Sequence, residues 1–399
     1  MKKVLIWADS PTATTGFARV TREIFTRLDK KVKMKIAWLG VNYSGKPHDF
    51  PFSIYPAQDQ LVKTPDITGI KRLPGFIQDF KPDVIFILQD LWMFSRVESR
   101  LAKLKQIAKD QGHPFKIIYY FPVDGDLHKD WVDALDIVDV PITYTNWAKD
   151  KCVALNPNLK DKLKVIPHGV DAKTFYPIKK EKKDFFLFSN VGRNMQRKQL
   201  ALSIMAFSKA FETLKQSGIN IKLYLHCQPE EFGISLPRIA KLYGLTTGDD
   251  DDADVIFPNQ FGFVEHKGIS DEDLNRVYNK ADCLISTTVG EGWGLPLMEA
   301  AACKTLLIVP EIQPLIENLE TKAIFYGLKG SVNFERDLSI IRPLPNPHEL
   351  SLRMIEVVAG FYDDKIINRI KERAYSWSQD LDWNKVFKTY WFNLLKEHL

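Results

Sequence analysis

Only four cysteines occur in 399 residues, at 152, 227, 283 and 303, and they show neither metal-ligand nor disulfide spacing. A cross-linked secreted scaffold is thereby excluded, and a reducing, cytoplasmic compartment is the expectation. Long apolar runs are absent too, since no stretch reaches the ~18 residues that a bilayer crossing requires. No transmembrane segment is expected. The opening residues Met1 to Asp9 are basic and then apolar, but Asp9 cuts the run after five residues, so they read as a first strand and not as a signal peptide. Internal repeats and low-complexity tracts are lacking, and a run of aspartates stands at Asp249 to Asp252 with Asp254. That tract has no glycine-defined ligand spacing, so a solvated loop is expected there and no metal site.

What is present is the composition of a soluble globular protein, 45% hydrophobic and 26% charged, in a chain long enough for two domains. The net charge of +5 is unevenly spread. Residues 1 to 168 hold 26 Lys+Arg against 19 Asp+Glu, about +7, and the remainder holds 29 against 31, about −2. A basic first half suits an anionic acceptor, and it equally suits mere solubility.

Apolar runs at Lys3–Ala8, Met34–Leu39, Pro82–Leu88 and Lys116–Pro122 alternate with segments of helical period. That alternation predicts an α/β architecture with a parallel sheet, whose ligands collect beyond the carboxyl ends of the strands. Asp90 and Asp124 follow two of these strands; a cap or turn role is expected for Asp90. The first loop, Asp9 to Phe17, is rich in hydroxyls and ends at Thr15 and Gly16 before a helix. It reads as an anion seat or as a plain helix N-cap.

Residues 281 to 310, ADCLISTTVGEGWGLPLMEAAACKTLLIVP, form a strand, a glycine-rich turn, a helix and a second strand. Such a turn aims unpaired N–H groups and a positive helix end at one point, which suits a phosphate. Glu291 before the helix and Glu299 within it suit hydroxyls instead, because an ionised carboxylate accepts hydrogen bonds from vicinal OH groups. A ligand carrying phosphates and two polyols is a nucleotide sugar. Upstream, the apolar strand near Phe185 runs into Gly192, and Arg193 and Lys198 follow five apart ahead of a helix. Two cations at such a mouth neutralise a diphosphate leaving group. Arg197 beside them reads equally as solvent-facing.

Glu291-Gly292-Trp293-Gly294-Leu295-Pro296-Leu297-Met298-Glu299 resembles the E-x7-E signature of retaining glycosyltransferases of family 4. The resemblance implies the GT-B fold: two Rossmann-like domains facing an interdomain cleft. It places an acceptor-side domain at 1–170, a nucleotide-sugar domain at 171–375, and a helix at 376–399 returning to the first domain. Residues 164 to 177, containing Pro167-His168-Gly169, resemble the family's crossing between domains, and Lys179 to Asp184 reads as a solvated linker.

What the family implies for the site follows residue by residue. Glu291 positions the donor sugar, Glu299 holds the ribose, and the stretch Gly292, Trp293, Gly294 and Leu295 offers backbone N–H groups to the distal phosphate. Arg193 and Lys198 match the family's phosphate pair, Thr15 and Gly16 face the donor phosphates, and Phe263 and Val264 lie near the base. Many relatives carry a histidine where this chain has Pro122-Val123-Asp124-Gly125, so Asp124 is taken as the acceptor-side polar group in preference to His128. The implied reaction is metal-independent sugar transfer with retention, a nucleotide-diphosphate sugar as co-substrate and no further cofactor.

The acceptor stays open between a glycan, a lipid-linked sugar at a membrane surface and a nucleic acid bearing hydroxymethylated or otherwise modified bases. A nucleotide-sugar-binding or epimerising protein on the same scaffold is the other reading.

Overall fold

The structure is a computed structural model that describes residues 1–58, 66–258 and 269–399. The chain divides into two compact units, Met1–Gly169 together with Trp383–Leu399, and Val170–Asp382.

In the first unit seven described strands form one parallel sheet: β1 (Lys2–Asp9), β2 (Met34–Val41), β3 (Ser53–Pro56), β4 (Val84–Leu88), β5 (Lys116–Phe121), β6 (Val140–Thr143) and β7 (Lys164–Val165). Their order is β3, β2, β1, β4, β5, β6, β7. A sheet covered on both faces needs continuous apolar strands, and every residue of Val84-Ile85-Phe86-Ile87-Leu88 is buried. The covering helices are α1 (Gly16–Asp29), α2 (Leu73–Phe80), α3 (Leu91–Ser95), α4 (Glu98–Asp110), α5 (Lys129–Asp133) and α6 (Asn146–Leu155). Helix α1 starts where Thr15 accepts a hydrogen bond from the Ala18 N–H, and it buries Ala18, Ile24, Phe25 and Leu28 at helical spacing.

The second unit repeats the plan. Its main strands are β8 (Phe186–Val191), β9 (Ile221–His226), then, past the hairpin β10 (Glu230–Glu231) and β11 (Ile234–Ser235), β12 (Thr247–Gly248), β13 (Val255–Ile256), β14 (Cys283–Ile285), β15 (Leu306–Pro310) and β16 (Ile324–Tyr326). They pair in the order β12, β13, β9, β8, β14, β15, β16, and every neighbouring pair is parallel. Around them lie α7 (Leu200–Gln216), α8 (Leu236–Leu242), α9 (Asp271–Lys280), α10 (Leu295–Ala302), α11 (Leu315–Leu319), α12 (Pro347–Val358) and α13 (Asp364–Asp380). The charged run after Ile178 docks more than a solvated linker would: Lys180 Nζ donates to the Ala281 carbonyl at 2.6 Å, and Lys183 pairs with Asp282 at 2.6 Å.

The return into the first unit falls at Trp383 and not at Ser376. Residues 376 to 380 complete α13, and the chain turns only where Val170 N–H bonds the Leu381 carbonyl at 2.9 Å and Ala172 N–H reaches the Asp382 carboxylate. Then come α14 (Trp383–Val386), a π-turn at Phe387–Trp391 and α15 (Phe392–His398). Trp383 lies on the backbone of Gly169, where an added Cβ would stand 2.6 Å from its ring, so no larger residue fits. Trp391 is fully buried against Phe86 and Tyr120, with ring centroids 5.9 and 4.9 Å away.

His168 sits in the same aromatic nest, its Nδ1 2.7 Å from the Tyr120 hydroxyl and its ring 4.0 Å from that of Tyr144. Burial pushes its pKa down to about 3. The unfolded chain takes up a proton near pH 6.5 while the native chain does not, so stability present above that pH is lost as pH falls. Between about pH 6 and 5 the expected loss from this group is roughly 1.4 kcal/mol per pH unit. Thermal melts across this window should show the slope, and it should shrink in His168→Gln.

Among the described residues no helix is long and apolar enough to cross a membrane, and no group of three or more His, Cys, Asp or Glu is placed to hold a metal ion. In the acidic tract Asp251 pairs with Lys280 at 2.8 Å, and Asp254 accepts from the Thr246 hydroxyl at 2.7 Å.

Candidate active site

Strands β8 and β14 are immediate neighbours, with Phe188 opposite Cys283 and Ser189 opposite Leu284. Their following loops, 192–199 and 286–294, therefore leave the carboxyl edge of the sheet side by side. This adjacency brings residues 93 positions apart into contact: Lys198 Nζ donates directly to Glu291 Oε1. Arg197 joins them, donating through Nη1 to the Gly290 carbonyl and lying 3.6 Å from Glu291 Oε2. The side chains of Lys198 and Glu291 are 15% and 12% exposed, so the pair is shielded but reachable from solvent.

A polar seam beneath the pair locks the two loops together. Thr287 Oγ1 donates to the Lys198 carbonyl at 3.0 Å, Val289 N–H donates to the Arg197 carbonyl at 2.9 Å, and Asn190 Nδ2 reaches Ser203 and Thr287 at 2.9 and 3.2 Å. Each bond is modest alone. Together they fix the backbone that carries both charges. A small pocket opens beside the pair, lined among others by Asn190, Lys198, Ser286, Thr288, Glu291 and Gly294. Gly294 has φ +94°, and a Cβ there would meet Leu297 at 3.2 Å and Leu315 at 3.3 Å. Only glycine passes the chain from this loop into α10 without strain, with Pro296 in the first turn where its missing N–H is harmless.

Other expected residues stand elsewhere. Arg193 turns to the hairpin: its Nε is 2.7 Å from Glu231 Oε1, its guanidinium lies 4.7 Å over the Phe232 ring, and its side chain is 58% exposed. Trp293 is a core residue, 25° from parallel with Trp377 at 6.2 Å and donating to Met298 Sδ, so only its backbone belongs to the loop. Gly292 and Leu295 flank it, Leu295 as the first residue of α10. Glu299 is 3% exposed, its Oε2 accepting from the Tyr278 hydroxyl at 2.7 Å. Phe263 and Val264 lie outside the described residues.

In the first unit Thr15 caps α1 and donates to the Asp9 carboxylate. Burial pushes the Asp9 carboxyl above the ordinary carboxylate range, opposed by hydrogen bonds from Thr15 and Asn42. Gly16 is the first residue of α1. Asp90 occupies the N-cap position of α3 without a side-chain capping bond, and His128 occupies that of α5, with its ring against Trp131 at 4.6 Å. Asp124 is half-buried beyond β5. Asp90 and Asp124 follow the paired strands β4 and β5, so both stand at one stretch of the sheet edge, and the Tyr144 phenol is pushed well above its usual pKa by burial first, then by Tyr120, Asp90, Tyr119 and Asp124.

Sequence reasoning passed over Asp9, Asn190, Thr287 and Tyr278, and it left Arg197 undecided. The run of hydroxyls Ser286, Thr287 and Thr288 after β14 was the available signal for the seam.

No protein-family model matches the chain. The O-antigen chain mannosyltransferase RfbU of Salmonella typhimurium is 25% identical over 205 residues, which is 51% of this chain and 51% of that protein. The chain thus matches about half the length of that curated relative. Among solved structures, sucrose-phosphate synthase from Thermosynechococcus elongatus superposes with a TM-score of 0.71 at 15% identity, covering 100% of this chain and 99% of that one. Anabaena HepE in complex with UDP and glucose gives 0.66 at 13%, covering 99% and 100%. The lipopolysaccharide outer core galactosyltransferase WaaB gives 0.60 at 13%, covering 100% of both chains. The fold is the α/β GT-B class, built from two Rossmann-like domains.

Proposed function

We propose that the chain is a retaining glycosyltransferase that moves a sugar from a nucleotide-diphosphate sugar to a hydroxyl acceptor without a metal ion. The observation that carries this reading is the contact of Lys198 with Glu291 at the edge shared by β8 and β14. A cation and a hydroxyl-binding carboxylate held side by side suit a molecule in which a phosphate and a sugar are neighbours. Lys198 and Arg197 neutralise the charge that develops on the departing nucleoside diphosphate, the work a divalent ion does elsewhere. Arg197 takes the place first given to Arg193, which Glu231 and Phe232 hold at the hairpin.

Glu291 binds the donor sugar's hydroxyls, Glu299 the ribose, and the N–H groups of Gly292 to Leu295 the distal phosphate. Phe263 and Val264 are assigned to the base, Thr15 and Gly16 to the donor phosphates, and Asp124 to the acceptor. Support comes from the fold shared with HepE, whose structure holds UDP and glucose, and from the partial likeness to a mannosyltransferase.

The test is a thermal-shift screen of nucleotide sugars, since a ligand of the native state raises the melting temperature. The hit is then assayed for transfer in excess EDTA, with the product's anomeric configuration read by NMR. Retention with undiminished rate is expected; inversion, or loss of activity on chelation, overturns the reading.

A further inference from the structure

We infer that Tyr278 is a positioning residue for Glu299, and that through this contact the site prefers a ribonucleotide over its 2′-deoxy counterpart. The inference rests on the assignment of Glu299 to the donor's ribose.

Glu299 lies in the middle of α10, between residues that are all buried, and is itself 3% exposed. A carboxylate so placed is costly unless hydrogen-bonded, and a strong partner on one oxygen restricts how the group can turn. The Tyr278 hydroxyl is such a partner, donating to Oε2 at 2.7 Å. Tyr278 is fully buried on α9, where phenylalanine would fill the same volume without burying an O–H. Its hydroxyl is explained by the carboxylate it meets.

The phenol is held from several sides. Thr305 Oγ1 donates to the Tyr278 carbonyl at 2.7 Å, and the ring meets Phe175 edge-on at 5.9 Å. About one turn before Tyr278 and one residue after it, the side-chain amides of α9 grip the segment bearing Phe175. Tyr176 N–H donates to Asn275 Oδ1 at 3.2 Å, Ile178 N–H donates to Asn279 Oδ1 at 2.7 Å, and Asn279 Nδ2 donates back to the Tyr176 carbonyl at 3.0 Å. Accepting two neighbouring hydroxyls of a ribose demands a carboxylate whose orientation is set beforehand, and this clamp sets it.

The experiment measures, by calorimetry, the affinities of UDP, GDP, ADP and CDP and of their 2′-deoxy forms, on the wild type, Tyr278→Phe, Glu299→Asp and Glu299→Gln with and without Tyr278→Phe. For the base that binds, the wild type should favour the ribose form by about 10- to 100-fold, the worth of a hydrogen bond to a charged group. In Tyr278→Phe the ratio should fall below ~3-fold, with KM for the donor raised about 10-fold and kcat within about 2-fold of wild type. Glu299→Asp, which draws the carboxylate back from the phenol, should behave alike, and adding Tyr278→Phe to Glu299→Gln should cost nothing further.

A wild-type ratio that survives intact in Tyr278→Phe overturns the inference and leaves the ribose assignment standing. A wild type that binds a nucleotide without preferring ribose removes the role of Glu299. A wild type that binds none of the eight removes the donor reading itself.

Discussion

Lys198→Ala is expected to lower kcat for sugar transfer by about 10²- to 10³-fold, the usual cost of deleting one preorganised donor from a site where negative charge develops. The ammonium is 15% exposed, pressed on Glu291 and supported from below by Thr287 at its own carbonyl, so its position is set before any ligand arrives. Removing it also takes the closer of two described cations from the Glu291 carboxylate, which is 12% exposed and has Arg197 at 3.6 Å. A melting-temperature loss should accompany the kinetic one, equivalent to roughly 2–3 kcal/mol, below the 3–5 of a pair wholly cut off from water. Steady-state kinetics and thermal melts check both. Affinity for the nucleoside diphosphate should fall as well, if the lost charge is the one that faces phosphate, as proposed. A variant that turns over within threefold of wild type would remove Lys198 from the site.

Much of this was legible because local pattern dictates it. The apolar runs Val84–Leu88 and Lys116–Phe121 could only be strands buried on both faces, and Gly294 before Pro296 could only be a sharp entry into a helix. What local pattern cannot carry is which strands become neighbours. That β8 lies beside β14 decides that Lys198 meets Glu291, and nothing within either loop says so.

The choice between Arg193 and Arg197 was similarly hidden. It is made by Glu231 and Phe232, which arrive on a hairpin nearly forty residues later and capture Arg193. Nothing in the sequence sets Tyr278 apart, since a phenol that serves the core and one that meets a carboxylate have the same spacing. The C-terminal stretch read as one helix from Ser376 onward because its aromatic period runs on past Asp380. Backbone bonds from Val170 and Ala172 break it there.

Glu291→Ala should separate binding from chemistry in a way Lys198→Ala does not. Deleting the carboxylate removes a negative charge that Lys198 and Arg197 share, and a more positive shielded site favours an incoming anion. Nucleoside diphosphate is therefore expected to bind as tightly as to the wild type or more tightly. Turnover is expected to collapse by about 10²- to 10³-fold, because the donor sugar loses the group that orients it. On the proposed role of Glu291, the intact nucleotide sugar should gain less affinity than the diphosphate alone, since it also loses contacts to its sugar hydroxyls.

Combining Glu291→Ala with Lys198→Ala should recover part of the stability lost in the lysine variant, as it removes the carboxylate that lost its nearer cation, and should recover none of the activity. Calorimetric titration of the diphosphate against each variant gives opposite signs for the two residues if one faces phosphate and the other faces sugar. Equal weakening in both would mean that Lys198 and Glu291 are a structural ion pair that happens to line a pocket.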